Sequence, residues 1–248
     1  MDLGIAGKRA AVAAASAGLG FGAAAALAAE GVQVVICGRD DARLRDAAER
    51  IGHGCVPLVV DVSTAEGGAA FVGAARDALG QIDILVTNAG GPPPGDFAST
   101  EVDAYPAALD LNLMSIVGMC KAAVPDMQAR GWGRVVAITS FSVRQPVPNL
   151  ILSNTARAGA TGFLKTLARE VAGDGVTVNS VQPGVHATDR MAQLYGDDLA
   201  ALDKGIPAGV VGDAGDFGQV VAFLCSEHAR FITGVHLPVD GGAVAGLL

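Results

Sequence analysis

A run of small residues, Ala13-Ala-Ala-Ser-Ala-Gly-Leu-Gly20, separates an apolar segment from an Ala-rich segment with high helix propensity. Small side chains at such a turn let the backbone approach a pyrophosphate, and the N-terminus of the following helix favours its negative charge. Close packing of a strand against a helix needs the same residue types, so both interpretations stay open for the turn alone. The residues assigned to phosphate binding are Ala14, Ser16, Gly18, Leu19 and Gly20.

The next apolar segment ends in Cys37-Gly-Arg39, and this ending bears on the choice of dinucleotide. An NAD site usually places a carboxylate here, where it binds the ribose 2′-hydroxyl. Arg39 can instead hold a 2′-phosphate through two hydrogen bonds. Asp40 follows directly, and its carboxylate weakens the case for NADP(H), because an NAD(H) site uses a carboxylate in this region. The pattern favours NADP(H) over NAD(H).

These segments belong to a regular alternation of strands and helices along all 248 residues. Because the apolar runs are continuous and not alternating, both faces of the sheet are expected to be buried. We therefore predict an α/β fold: a single doubly wound Rossmann domain spanning 1–248, with a seven-stranded parallel sheet flanked by helices. The predicted strands are 8–13, 32–37, 55–60, 82–87, 134–139, 176–181 and 235–239, and one long helix is predicted over 102–130.

The composition excludes several function classes. A net charge of −8 argues against a nucleic-acid-binding surface. The four cysteines are far apart and lack a C-x-x-C spacing, which predicts no disulfide framework, no metal site and a reducing, cytoplasmic location. The uncharged run 10–29 is interpreted as strand, turn and helix, and no other stretch is expected to span a membrane.

Further short motifs follow the predicted strands in order. They are Asp61-Val62, Asn88-Ala-Gly90, Asn112, Thr139-Ser140, Pro183-Gly184 with Thr188, Phe231-Ile-Thr-Gly234 and Val239-Asp-Gly-Gly242. Together with the turn at 13–20, they resemble the short-chain dehydrogenase/reductase superfamily, and 3-oxoacyl-ACP-reductase-like members in particular. The resemblance implies a homotetramer or homodimer, a small-molecule substrate and a substrate lid around 186–211. It also implies cofactor-binding roles for Asp61, Val62, Asn88, Ala89, Gly90, Arg157, Pro183, Gly184, His186 and Thr188.

The resemblance fails at two catalytic positions. The family uses a Ser, a Tyr and a Lys four residues after the Tyr, and here Ser140 matches the Ser. The register places the Tyr position on Ser153 and the Lys position on Arg157, which would define an atypical subgroup. Since serine is a poor proton donor and arginine stays charged, we expect these side chains to stabilise an oxyanion instead. Asn112 is the fourth catalytic candidate.

This set of residues leaves three functions open. The first is an oxidoreductase that transfers hydride to a carbonyl or a conjugated C=C of a small apolar substrate. The second is a regulatory homologue that holds the nucleotide without turnover, and the third is a non-redox lyase or dehydratase. Tyr195 and His186 are alternative proton donors. An apolar cleft is indicated by Pro92-Pro-Pro94, Phe97, Val143, Met191 and Leu194.

Overall fold

A computed structural model describes residues 1–189, 191 and 205–247 of the chain. The strands are β1 (Arg9–Val12), β2 (Gln33–Gly38), β3 (Val56–Val59), β4 (Ile84–Thr87), β5 (Gly133–Ile138), β6 (Val176–Pro183) and β7 (His236–Val239). The helices are α1 (Gly18–Ala29), α2 (Asp41–Ile51), α3 (Ala65–Leu79), α4 (Ala104–Leu109), α5 (Ser115–Arg130), α6 (Ile151–Val171) and α7 (Ala214–Cys225).

The strands form one sheet in the order β3-β2-β1-β4-β5-β6-β7, and every pair of neighbours is parallel. One apolar core packs α1, α2 and α7 against the sheet, and a second packs α3, α5 and α6 against its other face. The predicted fold, a seven-stranded parallel Rossmann sheet flanked by helices, is confirmed. The chain order reverses between β1 and β4, and such a switch point is where open α/β sheets bind ligands.

Glycines bring helices into backbone contact on both faces of the sheet. A Cβ on Gly22 of α1 would overlap the carbonyl oxygen of Ala214, and one on Gly218 of α7 would overlap that of Gly22. On the other face, a Cβ on Gly118 of α5 would overlap the carbonyl oxygen of Ala65. The close contact of α1 with α7, through Gly22 and Gly218, fixes the position of α1, whose N-terminus lies at the switch point.

The predicted helix 102–130 is divided in the structure. A π-helical turn, Asp110–Met114, separates α4 from α5. Within it, Asn112 donates from Nδ2 to the carbonyl oxygen of Gly90 at 2.8 Å. The wider turn lets this side chain point inward, and π-turns of this kind are frequent at functional sites.

The same helical stretch corrects the expectation about membrane spans. Ala104–Arg130 comprises 27 residues with a mean hydropathy of 1.4, so its length and composition suffice to cross a bilayer. Half of its apolar window is buried inside the protein. The core helix of a globular domain has the same length and composition, so the stretch is weak support for a membrane span.

Candidate cofactor and catalytic site

A cavity of about 580 Å³ opens at the carboxyl ends of the strands. Of the predicted cofactor-binding residues, all except Gly20 line it, and so do the catalytic candidates Ser140, Ser153 and Arg157. The fold therefore brings these residues together from segments that are distant in sequence.

The turn between β1 and α1 forms one wall of this cavity. Gly18 begins α1 with a φ of +59°, and within the described residues no side chain caps the helix N-terminus. By contrast, Asp40, Thr64 and Asp213 cap α2, α3 and α7. The uncapped backbone N–H groups of α1 are thus directed at the cavity, as an anion site requires.

Gly20 lies behind the wall, where it allows a close contact. A Cβ there would lie 2.7 Å from the carbonyl oxygen of Ala14 and 2.8 Å from Nδ2 of Asn88. That amide donates to the Ala14 oxygen at 3.1 Å and so ties the loop after β4 to the turn. This glycine shapes the site without lining it. With the uncapped helix, it makes the turn fit a dinucleotide pyrophosphate.

Ala14 has a backbone conformation that favours glycine. Its φ is +48°, in the left-handed region that L-residues with a Cβ avoid. Its N–H donates to the Cys37 sulfur at 3.4 Å, and burial raises the pKa of that thiol to about 12. The backbone at Ala14 is therefore strained.

The carboxylate next to Arg39 does not face the cavity. Oδ1 of Asp40 accepts a hydrogen bond from the Arg43 backbone N–H at 2.9 Å, which makes it the N-cap of α2. Arg39 is exposed, lines the cavity and has no hydrogen-bond or ion-pair partner among the described residues. The carboxylate of Asp40, which would favour NAD(H) if it faced the cavity, thus caps a helix instead.

His186 anchors the segment after β6. Its side chain is 4% exposed, its Nδ1 lies 3.2 Å from the Gly184 carbonyl oxygen, and its ring meets Phe217 edge-on with centroids 5.2 Å apart. Burial lowers the pKa of His186 below its ordinary value. The alternative proton donor Tyr195 and most of the predicted lid at 186–211 lie outside the described residues.

Three of the four catalytic candidates lie near the end of β5. Ser140 follows the strand, and its Oγ accepts a hydrogen bond from the Ser142 N–H at 3.1 Å. Ser153 and Arg157 lie four residues apart on α6, hence on one face of the helix. The Arg157 Nε donates to the Ser153 Oγ at 3.2 Å.

The Arg157 guanidinium is fixed beneath the cavity. Its Nη1 donates to the carbonyl oxygens of Ile138 and Thr139 at 3.3 and 3.1 Å, and the residue is 9% exposed. The hydroxyls of Ser140 and Ser153 each accept from an N–H group, so the proton of each hydroxyl can be donated to a ligand. Two hydroxyl donors and a fixed cation have the chemistry to stabilise negative charge on an oxygen atom held between them.

Asn112 does not line the cavity. The residue is 1% exposed, and Nδ2 holds the Gly90 carbonyl oxygen. Its Oδ1 is buried without a hydrogen-bond partner among the described residues. Asn112 thus contacts the cavity through Gly90, which lines it, and its catalytic role stays a prediction.

A second cavity of about 460 Å³ adjoins the first, and Gly91 and Leu111 line both. Pro92, Pro93 and Pro94 form part of its wall, and Met191 lines the first cavity. Two other residues expected in an apolar cleft are elsewhere: Phe97 is 87% exposed, and neither it nor Val143 lines either cavity. Leu194 lies outside the described residues.

Comparison with known proteins decides the family. A family model described as Enoyl-(Acyl carrier protein) reductase matches residues 13–244. The chain belongs to the short-chain dehydrogenase/reductase superfamily. The cavity of this chain lies at the switch point of the sheet, where doubly wound folds bind dinucleotides.

Relatives in the superfamily cover almost the whole chain. The 3-oxoacyl-(acyl-carrier-protein) reductase of Vibrio harveyi is 35% identical over 236 residues, which is 95% of this chain and 97% of the relative. That of Escherichia coli (strain K12) is 33% identical over the same length and the same shares of both chains. L-sorbose reductase from Gluconobacter frateurii, solved with NADPH and L-sorbose, has a TM-score of 0.93, 32% identity and full coverage of both chains.

The sequence did not indicate every residue of the site. Arg43, Leu111, Leu150 and Asp189 also line the cavity. Arg43 and Asp189 form an ion pair with Nη2 and Oδ2 2.6 Å apart. The 146 positions that separate them left no local pattern from which the pair could be found.

Proposed function

We propose that this chain is an NADP(H)-dependent oxidoreductase that reduces a carbonyl or a conjugated C=C of a small apolar substrate. One observation carries the proposal: a single cavity joins the uncapped N-terminus of α1 and Arg39 to the hydroxyls of Ser140 and Ser153 beside Arg157. The sheet order separates β2, next to Arg39, from β5, next to Ser140, by two strands. An extended dinucleotide spans such a distance.

The preference for NADP(H) rests on Arg39 and on the engagement of Asp40 as a helix cap. A guanidinium with no partner among the described residues can bind the 2′-phosphate through two hydrogen bonds. Two structural relatives support the same cofactor. The L-sorbose reductase was solved with NADPH, and YwfH, 25% identical with a TM-score of 0.92, is described as an NADPH dependent reductase.

Ser140, Ser153 and Arg157 would stabilise the charge that develops on the substrate oxygen. The bound nicotinamide supplies the hydride. Each serine hydroxyl donates its proton in a hydrogen bond to that oxygen, and Arg157 orients Ser153 and adds positive charge close by. We assign the chain to an atypical subgroup in which Ser153 and Arg157 replace the family's Tyr and Lys.

This chemistry favours conjugated substrates over simple ketones. Ketone reduction produces a strongly basic alkoxide, which needs a proton from a tuned acid, and neither serine nor arginine supplies one readily. Addition of hydride to a conjugated C=C produces an enolate, which hydrogen bonds can hold until water protonates it. The prolines and alanines of the adjoining cavity suit an apolar substrate.

We also infer a homodimer or homotetramer through α5 and α6, in a reducing, cytoplasmic location. Ala158, Gly159 and Gly162 leave part of the α6 surface exposed and flat, which suits helix packing against a second copy. The location follows from the cysteines, which are four free thiols, because a reducing compartment keeps thiols in this state. Light scattering after size exclusion measures the assembly directly.

The test of function combines cofactor binding with single turnover. Purified protein is titrated with NADPH and NADH, and the NADPH-loaded protein is then mixed with a saturated ketone or a conjugated enone of equal size. We expect tighter binding of NADPH and cofactor oxidation by the enone that is much faster than by the ketone. Binding without oxidation by any substrate would support the regulatory function instead. Substrate turnover without a change in cofactor would support the lyase or dehydratase.

A further inference from the structure

Two arginines face the cofactor cavity at the junction of β2 and α2. They are Arg39 and Arg43. The carboxylates of Asp40 and Asp41, which lie at the same junction, already have partners. Asp40 caps α2, and both oxygens of Asp41 lie 2.9 Å from Nε of Arg45. The junction therefore presents two cations to the cavity, while its own carboxylates do not compete for a ligand.

Arg43 reaches across the cavity mouth to Asp189, and the two charged atoms lie 2.6 Å apart. Their side chains are 57% and 69% exposed. Because water screens exposed ion pairs and the long side chains lose entropy in them, such pairs are weak and exchangeable. An anion of higher charge that enters the cavity can take Arg43 from Asp189.

Asp189 belongs to the segment that follows β6 and passes over the turn between β1 and α1. Its neighbour Thr188 lies next to that turn, since a Cβ on Gly18 would lie 3.4 Å from Cγ2 of Thr188. The Thr188 hydroxyl also lies 3.4 Å from the backbone nitrogen of Met191 and accepts its hydrogen bond. The Arg43–Asp189 pair thus links this segment to α2 at the cavity.

We propose that Arg43 is a second ligand, beside Arg39, for the 2′-phosphate of NADP(H), and that Asp189 is its counter-ion until the phosphate binds. The proposal rests on the proposed NADP(H) function. A phosphate monoester carries a charge of about −2 and offers three acceptor oxygens. A planar guanidinium binds two of them at once, so the phosphate displaces the carboxylate. NADH has no 2′-phosphate and leaves the Arg43–Asp189 pair in place.

Two opposite effects follow from this exchange. Arg43→Gln removes a phosphate ligand and should weaken NADPH binding about tenfold, while NADH binding stays the same. Asp189→Asn removes the competitor for Arg43 and should tighten NADPH binding several-fold, again without an effect on NADH. A purely structural role for the pair predicts the same loss for both variants and both cofactors.

The experiment measures dissociation constants of NADPH and NADH for wild-type protein, Arg43→Gln, Asp189→Asn and the double variant. Arg45→Gln is the matched control, because Arg45 lies on the same helix and pairs with Asp41 away from the cavity. Adenosine 2′,5′-bisphosphate and adenosine 5′-monophosphate repeat the comparison without the nicotinamide. In the double variant, the gain from Asp189→Asn should vanish, since no Arg43 remains to be released.

The outcomes separate this inference from the proposed function. If wild-type protein binds NADPH but Arg43→Gln binds it equally well, or if Asp189→Asn weakens it, the role of Arg43 is overturned and the function stands. If wild-type protein binds neither cofactor, the proposed function fails and this inference fails with it.

Discussion

The substitution Ala14→Gly should stabilise the protein, although it removes a methyl group from the turn between β1 and α1. Ala14 has a φ of +48°, and a left-handed conformation costs an L-residue with a Cβ about 1–2 kcal/mol. Glycine avoids that cost but gains entropy in the unfolded chain, which removes about 0.4–1 kcal/mol of the benefit. We expect a net increase in the free energy of unfolding of about 0.5–1 kcal/mol.

Chemical denaturation at constant pH measures this gain as a higher denaturant midpoint at an unchanged m-value. In a chain of 248 residues, it corresponds to a rise in melting temperature of about 1–4 °C. Ala13→Gly is the matched control, because Ala13 is fully buried and does not have a positive φ. That variant should be less stable than wild type. Equal losses in both variants would refute the strain argument at Ala14.

Three further predictions concern other parts of the molecule. Ser153→Ala should lower the turnover number about 100-fold with an unchanged NADPH dissociation constant, whereas Ser153→Tyr with Arg157→Lys should raise ketone reduction; stopped-flow kinetics checks both. Burial lowers the pKa of His186, so its contribution to the free energy of unfolding is fully present above its pKa in the unfolded chain, near 6.5. This contribution is lost as the pH falls through the lower pKa of the folded state. His186→Leu should therefore flatten the pH dependence of the denaturant midpoint. Gly118→Ala should cost about 1–3 kcal/mol through overlap with a carbonyl oxygen of α3, whereas Gly73→Ala within α3, which meets no atom within 4 Å, should gain about 0.5–1 kcal/mol; calorimetry separates the two.

The sheet could be predicted from the sequence because its determinants are local. Continuous apolar runs specify buried strands, and the small-residue turn with Gly18 specifies the first crossover. Helix α1 nevertheless starts at Gly18, inside the small-residue turn at 13–20 and not after it. The reason is that Gly18 itself begins the helix at a positive φ, which its neighbours in sequence do not reveal.

The parts that could not be predicted depend on contacts between distant residues. The π-turn around Asn112 accompanies a hydrogen bond to Gly90, 22 positions earlier, and helix propensity does not encode it. The same contact explains why Asn112 is buried behind the cavity and does not line it. Likewise, the sequence alone leaves Asp40 as an argument against NADP(H), whereas its place at the start of α2 makes it a helix cap.

Isotope transfer tests the central claim most directly. The protein is incubated with a conjugated enone and NADPH that carries deuterium at the hydride position of the nicotinamide, and the product is analysed by mass spectrometry and NMR. The proposed chemistry predicts one deuterium at the β-carbon of the product. This labelled product should no longer form in the double variant Ser153→Ala, Arg157→Met. A product without deuterium, or no product from protein that binds NADPH, would contradict the assignment of this chain as a reductase.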